Sequence, residues 1–483
     1  MKKRTLILSL LWLWSGLCAV ESLQAQDYEK NRVIILTDIE AEPDDTQSLV
    51  RLMLYSNRLD IEGLVATTST HLRGGIYPSS IENVIDRYAL VRPNLLKHES
   101  GFPEAATLKA LVKAGQSVYA LEGVGEGKDS EGSDWIIEVL SNDDPRPLWI
   151  SIWGGTNTLA QALTKITKEK SKKEAKRLIS KLRVYAISDQ DDAAYWIRNK
   201  YPELFYIVSP GGWGRYPFAT WGAVNMDVAE VNSDVVSNAW IAENIQQGHG
   251  PLGAKYPDVM WGMEGDTPSF LGLIANGLNS PENPNWGGWG GRYELYVPEH
   301  IEDTTSQAQV KNGAETRPIW TNAVDKFIPL VYNRNGRAVK LDTENTLENN
   351  FATILRWRED FQNDFAARMD WCTMSYEEAN HAPVAGVVHE ETVTLRSGEH
   401  FTLDAGASYD PDGDNLSYYW FSYPEAGTYK GQIVKPAINH YRAYIVAPEV
   451  DEPMTAHCIL KVTDKGTPRL SGYKRIILNI VPR

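Results

Sequence analysis

Residues 31–55 read NRVIILTDIEAEPDDTQSLVRLMLY. Val33, Ile34, Ile35 and Leu36 form an unbroken apolar run, the pattern of a strand buried on both faces. From Asp44 to Tyr55 the apolar residues Leu49, Val50, Met53 and Leu54 fall instead at helical spacing, and Pro43 suits a first helical turn. Between the two patterns stand Asp38, Glu40, Glu42, Asp44 and Asp45, five carboxylates in eight residues. Aspartate in a first helical turn complements the helix macrodipole, which accounts for Asp44 or Asp45 singly but not for Asp38. Carboxylates crowded from two elements repel one another unless a cation or protons intervene.

Working outward, the alternation continues. A second strand is expected at Ile61 to Ala66, with further strands at Pro147 to Trp153, Leu182 to Ile187 and Leu204 to Ser209, and helical segments between. This predicts an α/β fold, a mostly parallel sheet with helices on both faces. A polar cluster follows each of four strands: Asp38; Thr67-Thr68-Ser69-Thr70-His71; Gly154-Gly155-Thr156-Asn157-Thr158; and Ser188-Asp189-Gln190-Asp191-Asp192. Ligands of open parallel sheets bind beyond the carboxyl ends of the strands, so these clusters are predicted to converge on one rim.

After Asn380-His381-Ala382-Pro383 the pattern changes to short alternating runs, Thr392 to Leu395, His400 to Leu403, Leu416 to Phe421, Ala456 to Val462 and Arg475 to Val481. Turn signals separate them, which predicts an all-β, immunoglobulin-like sandwich over residues 381–483 behind an α/β domain of residues 27–380. Asn349 to Glu378 reads as the closing helices of the first domain. Asp410-Pro411-Asp412-Gly413-Asp414 begins like a calcium loop, but Phe421 occupies the place of its bidentate Glu, so a turn is the better reading.

With 63 acidic against 48 basic residues the net charge is −15, which disfavours nucleic acid as a partner. Residues 1–25 combine a basic start, a short apolar stretch and Ala25, the parts of a signal peptide cleaved near Ala25; a secreted or periplasmic protein without a membrane span is expected. The mature chain then keeps Cys372 and Cys458, which leaves one bridge open and excludes a cysteine zinc site.

The strand ending in Asp38, the acidic loop and the Asp44-Asp45 pair resemble the nucleoside hydrolase family, whose signature there is DTDxxxDDxxAL. Gly154 to Ala160 is similar to the family's GPLTNLA turn, Gly63 to Thr70 to its GITTVxGN segment, and Glu264-Gly265-Asp266-Thr267-Pro268 to its distal HDP motif. The likeness covers roughly Arg32 to Phe270. It implies that Asp38, Asp45, Asp266 and the carbonyl of Asn157 ligate calcium, that Asp38 is also the general base on a calcium-bound water, and that Asp44 binds sugar hydroxyls.

Three departures accompany it. The loop between Asp38 and Asp44 is two residues longer than the family's. Gly265 stands where the family has a His associated with the leaving group. The sugar-binding AEFN segment has no clean counterpart, and Asn225, in Trp221 to Ser233, is its expected replacement. Thr70, His71 and Asp189 complete the expected substrate contacts, with His71 a stand-in for the absent His. Trp261, Trp286 and Trp289 flank the distal motif, where NWGGWGG reads either as a sugar-facing lid or as core.

With its export signal and C-terminal sandwich, the chain resembles the exported branch often labelled cellulose-binding protein. The expectation is a calcium-dependent hydrolase of a glycosidic bond in a carbohydrate or glycoside. A non-catalytic carbohydrate-binding protein and a true nucleoside N-ribohydrolase are the alternatives, and a homo-oligomer is left open.

Overall fold

The computed structural model describes residues 29–211, 213–296, 315, 317–334 and 338–483. The expected signal peptide lies outside these residues. An eight-stranded sheet runs in the order β3-β2-β1-β4-β5-β6-β8-β7. Its strands are β1 (Asn31–Thr37), β2 (Leu59–Ala66), β3 (Val112–Ala114), β4 (Leu148–Ile152), β5 (Leu182–Ala186), β6 (Phe205–Val208), β7 (Tyr293–Tyr296) and β8 (Ile319–Asn322). All pairings are parallel except the edge pair β7 and β8.

Strand β1 is central, and both its faces are covered. Val33 and Ile35 join the core beneath helices α1 (Pro43–Leu54) and α2 (Pro78–His98), while Ile34 and Leu36 join the opposite core with α3 (Glu131–Ser141), α4 (Asn157–Glu169) and α5 (Asp192–Lys200). Side chains of successive strand residues point to opposite faces, so an uninterrupted apolar run is what a strand between two helical layers needs. Proline opens α1, where its missing N–H costs no hydrogen bond.

Short strands complete the first domain: β9 (Asp325–Phe327) pairs with β12 (Leu347–Asn349), and β10 (Leu330–Tyr332) with β11 (Ala338–Leu341). Helix α6 (Ala352–Asp370) closes it, within the segment expected to be helical.

The C-terminal region is all-β. One sheet orders β13 (Thr392–Arg396), β19 (Ser471–Val481), β18 (Met454–Thr463), β15 (Ser417–Ser422) and β16 (Ala437–Ile438); β14 (His400–Asp404) pairs with β17 (Arg442–Val446) in a second. Leu395, Leu403, Trp420, Ile445, Leu460 and Leu478 fill the space between. The alternation of buried Ala443 and Ile445 with exposed Arg442 and Tyr444 explains β17, which the sequence reading did not mark.

The two regions share one core. Tyr423, Ile459 and Tyr473 of the sandwich pack in the cluster that holds Trp289, Trp357 and Phe361. Lys461 Nζ donates to Asp360 Oδ1 at 2.6 Å, and Arg475 donates to the carbonyls of Leu278 and Gly287. Trp289 is 4 % exposed and meets Tyr473 edge-on, and Trp286 meets the ring of His457 at 4.7 Å. The Gly-rich NWGGWGG is therefore part of this seam and not a lid; of the three tryptophans only Trp261 is exposed. Cys372 and Cys458 are both buried free thiols, so the bridge left open is not formed.

Candidate functional site

The four polar clusters meet at the carboxyl end of the sheet, stitched by backbone hydrogen bonds. Thr67 N–H donates to Thr37 O at 2.7 Å, Gly155 N–H to Thr68 O at 2.9 Å and Thr70 N–H to Gln190 O at 2.8 Å. Asp191 closes the ring: its carboxylate accepts from Thr156 Oγ1 and from the N–H groups of Thr156, Asn157 and Ala194. One buried side chain thus caps two helices, which explains why its acidity is needed where it stands.

Asp38 leaves the end of β1 and is buried. Gly154, at the end of β4, lies directly against it; a Cβ there would fall 2.5 Å from Asp38 Oδ1, so only glycine admits this approach. Asp44 and Asp45 enter from the first turn of α1, and Thr37 Oγ1 donates to Asp45. Asp266 arrives on the loop after Glu264, a residue in the left-handed region at φ 50°. That loop is tied to α1: Arg51 pairs with Glu264 at 2.5 Å, and Tyr256 and Thr267 both donate to the same carboxylate. Backbone held in an unfavourable region by surrounding contacts is common where a site must be positioned.

One oxygen each from Asp44, Asp45 and Asp266 lies within 4.8 Å of the others, a spacing that could hold a metal ion. The division of roles is notable. Asp44, expected as a sugar contact, belongs to this tight group, and Asp38, expected as a ligand, adjoins it and is coupled to it electrostatically. Burial, then the charges of Glu42 and Asp38, push Asp44 up to about 7. Burial also lifts Asp38 to about 7, against a hydrogen bond from Ser69 that lowers it. Asp266 is held well above the carboxylate range by burial and by Asp45, Asp44, Asp38 and Glu42, and its Oδ2 has no hydrogen-bond partner. A buried carboxylate oxygen without a partner, surrounded by like charges, fits a hard divalent cation, which takes oxygen ligands.

The remaining expected residues divide. Asn157 opens α4 with its amide nitrogen donating to Thr68 Oγ1 and Val118 O, and its Oδ1 is buried without a partner. His71 is half-buried, its Nε2 3.3 Å from Tyr216 Oη. Thr70 is buried beneath Arg73, whose guanidinium donates to its hydroxyl. Asn225 ends a short 3-10 turn, its amide against Gly262. Asp189 lies in a different setting: Arg198 donates to both its oxygens, at 2.7 and 2.9 Å, and Gly211 N–H donates as well. The carboxylate expected to meet substrate is engaged inside the protein.

Tyr216 and Trp221 are the residues that sequence reasoning missed. Their rings meet at 5.2 Å, nearly perpendicular, and burial with the charges of Asp38 and Glu42 keeps the Tyr216 hydroxyl protonated. Trp221 Nε1 donates to Ser188 Oγ, and its ring lies over Gly265, where a Cβ would come within 2.9 Å of it and 3.3 Å of Asp44 Oδ2. The absent His is thus replaced in space by an indole. The sequence signals such a wall only through its composition, 16 Trp and 23 Tyr.

Residues 32–293 match the family described as "Cellulose-binding Sde182, nucleoside hydrolase-like domain". The chain belongs to this family. Residues 400–480 match "Cellulose-binding protein Sde0182, C-terminal domain". A solved structure titled as a nucleoside hydrolase-related hypothetical protein from Saccharophagus degradans, associated with carbohydrate metabolism, is 33 % identical, with a TM-score of 0.76. That match covers 94 % of this chain and 100 % of the other. A second solved structure, of an effector protein, is 10 % identical over 59 % of this chain and 88 % of its own; its TM-score of 0.31 carries no argument. No curated protein matches. Among the described residues no helix is long and apolar enough to cross a membrane.

Proposed function

We propose that this chain is an exported hydrolase of a glycosidic bond in a carbohydrate or glycoside, dependent on calcium. The observation that carries the reading is the cluster of Asp44, Asp45 and Asp266, whose charged neighbours are other carboxylates, Asp38 and Glu42 among them, beside an aromatic wall. Asp44, Asp45 and Asp266 would hold the ion, with Asp38 adjoining and the Asn157 carbonyl a further expected ligand. Bound calcium supplies a site that orients a water and lowers its pKa. Asp38, fixed by Gly154 and Ser69, would accept a proton from the attacking water as its oxygen bonds to an anomeric carbon with oxocarbenium character; the glycosidic C–O bond breaks, the leaving oxygen takes up a proton from the Tyr216–His71 side, and the centre inverts in a single displacement. On the aromatic side Tyr216, its hydroxyl kept protonated by burial and by the charges of Asp38 and Glu42, lies 3.3 Å from His71 Nε2.

A second reading is favoured by two observations: Gly265 stands where the resembled family has its leaving-group His, and the matched family is described as cellulose-binding. On that reading the chain binds carbohydrate without turnover. A nucleoside substrate is disfavoured by the same replacement.

Purified mature protein is to be tested against aryl glycosides, oligosaccharides and nucleosides, with and without a chelator, alongside Asp38→Asn. Sugar release abolished by either treatment is expected. Release that ignores both sinks the calcium mechanism, and binding without turnover on every substrate selects the second reading.

A further inference from the structure

Between the two regions, away from the acidic site, lies a cleft of 580 Å³. Its walls are the β9 to β11 segment, the first half of α6 and strand β15. Phe327, Tyr332, Tyr419 and Phe421 line it. Tyr419 and Phe421 alternate with Trp420, which points into the sandwich core and is fully buried, so both present their rings on the cleft side. Those two rings stack at 4.9 Å with 23° between planes, making a two-residue aromatic floor.

The charges on the cleft balance in number, and each of its four bases has a partner within the protein. Lys326, Arg356, Arg358 and Lys461 face Glu230, Glu359, Asp360 and Glu425 across it. Lys461 is paired with Asp360 at 2.6 Å, Lys326 with Glu348 at 3.6 Å and Arg356 with Asp325 at 3.4 Å. Arg358 donates to the carbonyls of Ala223, Met226 and Asn232. No base is left over to select an anion, and no acid cluster to select a cation. What the lining favours is a neutral ligand with flat apolar faces and a hydroxyl rim: the aromatic floor takes the faces, and amide edges such as Asn232 and Gln432 take the rim. The volume is within the range of small-molecule sites.

We propose that this cleft is a second carbohydrate site, which holds a neutral pyranose oligosaccharide across the seam between the two regions. The ligand class rests on the carbohydrate reading above; the location does not depend on turnover at the acidic site. A segment held here would anchor a long chain to the protein independently of the bond to be cut.

Cellohexaose binding to the full chain, measured by titration calorimetry, tests this. Tyr332→Ala, an exposed position, and Tyr419→Ala are each expected to weaken binding about ten-fold, the loss of one ring contact. Unfolding midpoints equal to the parent's show that the variants are folded. Binding unchanged in both aromatic variants, or no binding by the parent, would each overturn the proposal. Failure of turnover with binding intact would count against the hydrolase reading only.

Discussion

Two groups of buried carboxylates in this molecule differ in one respect. Asp189 and Glu315 lie against the guanidinium of Arg198, all three almost fully buried. Asp44, Asp45 and Asp266 each bring an oxygen within 4.8 Å of the others, with Asp38 adjoining and Asp44 half-buried, and the charges acting on Asp266 are those of Asp45, Asp44, Asp38 and Glu42, all acidic. Desolvating a charge costs free energy unless a partner compensates it. The first group has its cation built in, Arg198, with the charge of Arg317 also acting on Glu315, although Glu315 Oε2 itself has no hydrogen-bond partner. The second is complete only with protons or a cation, which is why it is the candidate site although both groups follow strands of the same sheet.

The largest effect should come from breaking the group built on Arg198. Arg198→Met leaves two buried carboxylates without their guanidinium and should lower stability by about 3–5 kcal/mol in urea unfolding. A loss under 1 kcal/mol would show that water reaches this site and that burial does not separate the groups. Next, calcium at about one hundred times its dissociation constant should stabilise the parent by about 2.7 kcal/mol, seen as a raised unfolding midpoint. Asp266→Asn should abolish the gain. An equal gain in Asp266→Asn would place the ion elsewhere.

Acidity separates the groups more gradually. In chelator, Asp38 and Asp44 have folded-state values raised to about 7 from 3.8. Their protons stay on in the folded chain while the unfolded chain loses them, so stability is fully present below about 4 and is lost as pH rises to about 7. Glu99 is the contrary case. Although burial raises it, Arg58 and Arg368 hold it down to about 2 from 4.5, so its contribution is present above 4.5 and lost as pH falls toward 2. Unfolding midpoints across pH in chelator should therefore decline toward neutrality, and calcium should remove that decline. The smallest effect is expected from Gly265→Ala, about 1 kcal/mol, as the new methyl displaces the Trp221 ring; Trp221 fluorescence should shift while calcium stabilisation remains.

Asp38, Asp44 and Asp45 were legible because they sit at the junction of two strong local patterns, a four-residue apolar run and a helical stripe opened by proline. The parallel sheet was legible for the same reason. Asp266 was legible only through the likeness of its motif. Asp189 was not, since its partner Arg198 stands nine positions on and Glu315 far beyond, and nothing local distinguishes a carboxylate aimed at solvent from one aimed at a guanidinium. The Tyr216 and Trp221 wall was hidden because it is built by an irregular segment of 3-10 turns, where neither period applies. Strands β7 to β12 are three or four residues each, too short to show alternation. Trp289 in NWGGWGG read equally as lid or core because its packing partners, Phe361 and Tyr473, come from other elements.

The shared core has a consequence for how such a chain can be recombined. Tyr423, Ile459 and Tyr473 are apolar on the side that faces α6, and Asp360 of that helix is held by Lys461, Ser471 and Tyr473 of the sandwich. A sandwich cut away at residue 381 would carry an uncovered aromatic face, and the remainder would keep a buried carboxylate stripped of its donors. The C-terminal region is therefore packed as a continuation of the first domain's core, and a gene fusion that moved it to another protein would have to bring α6 with it.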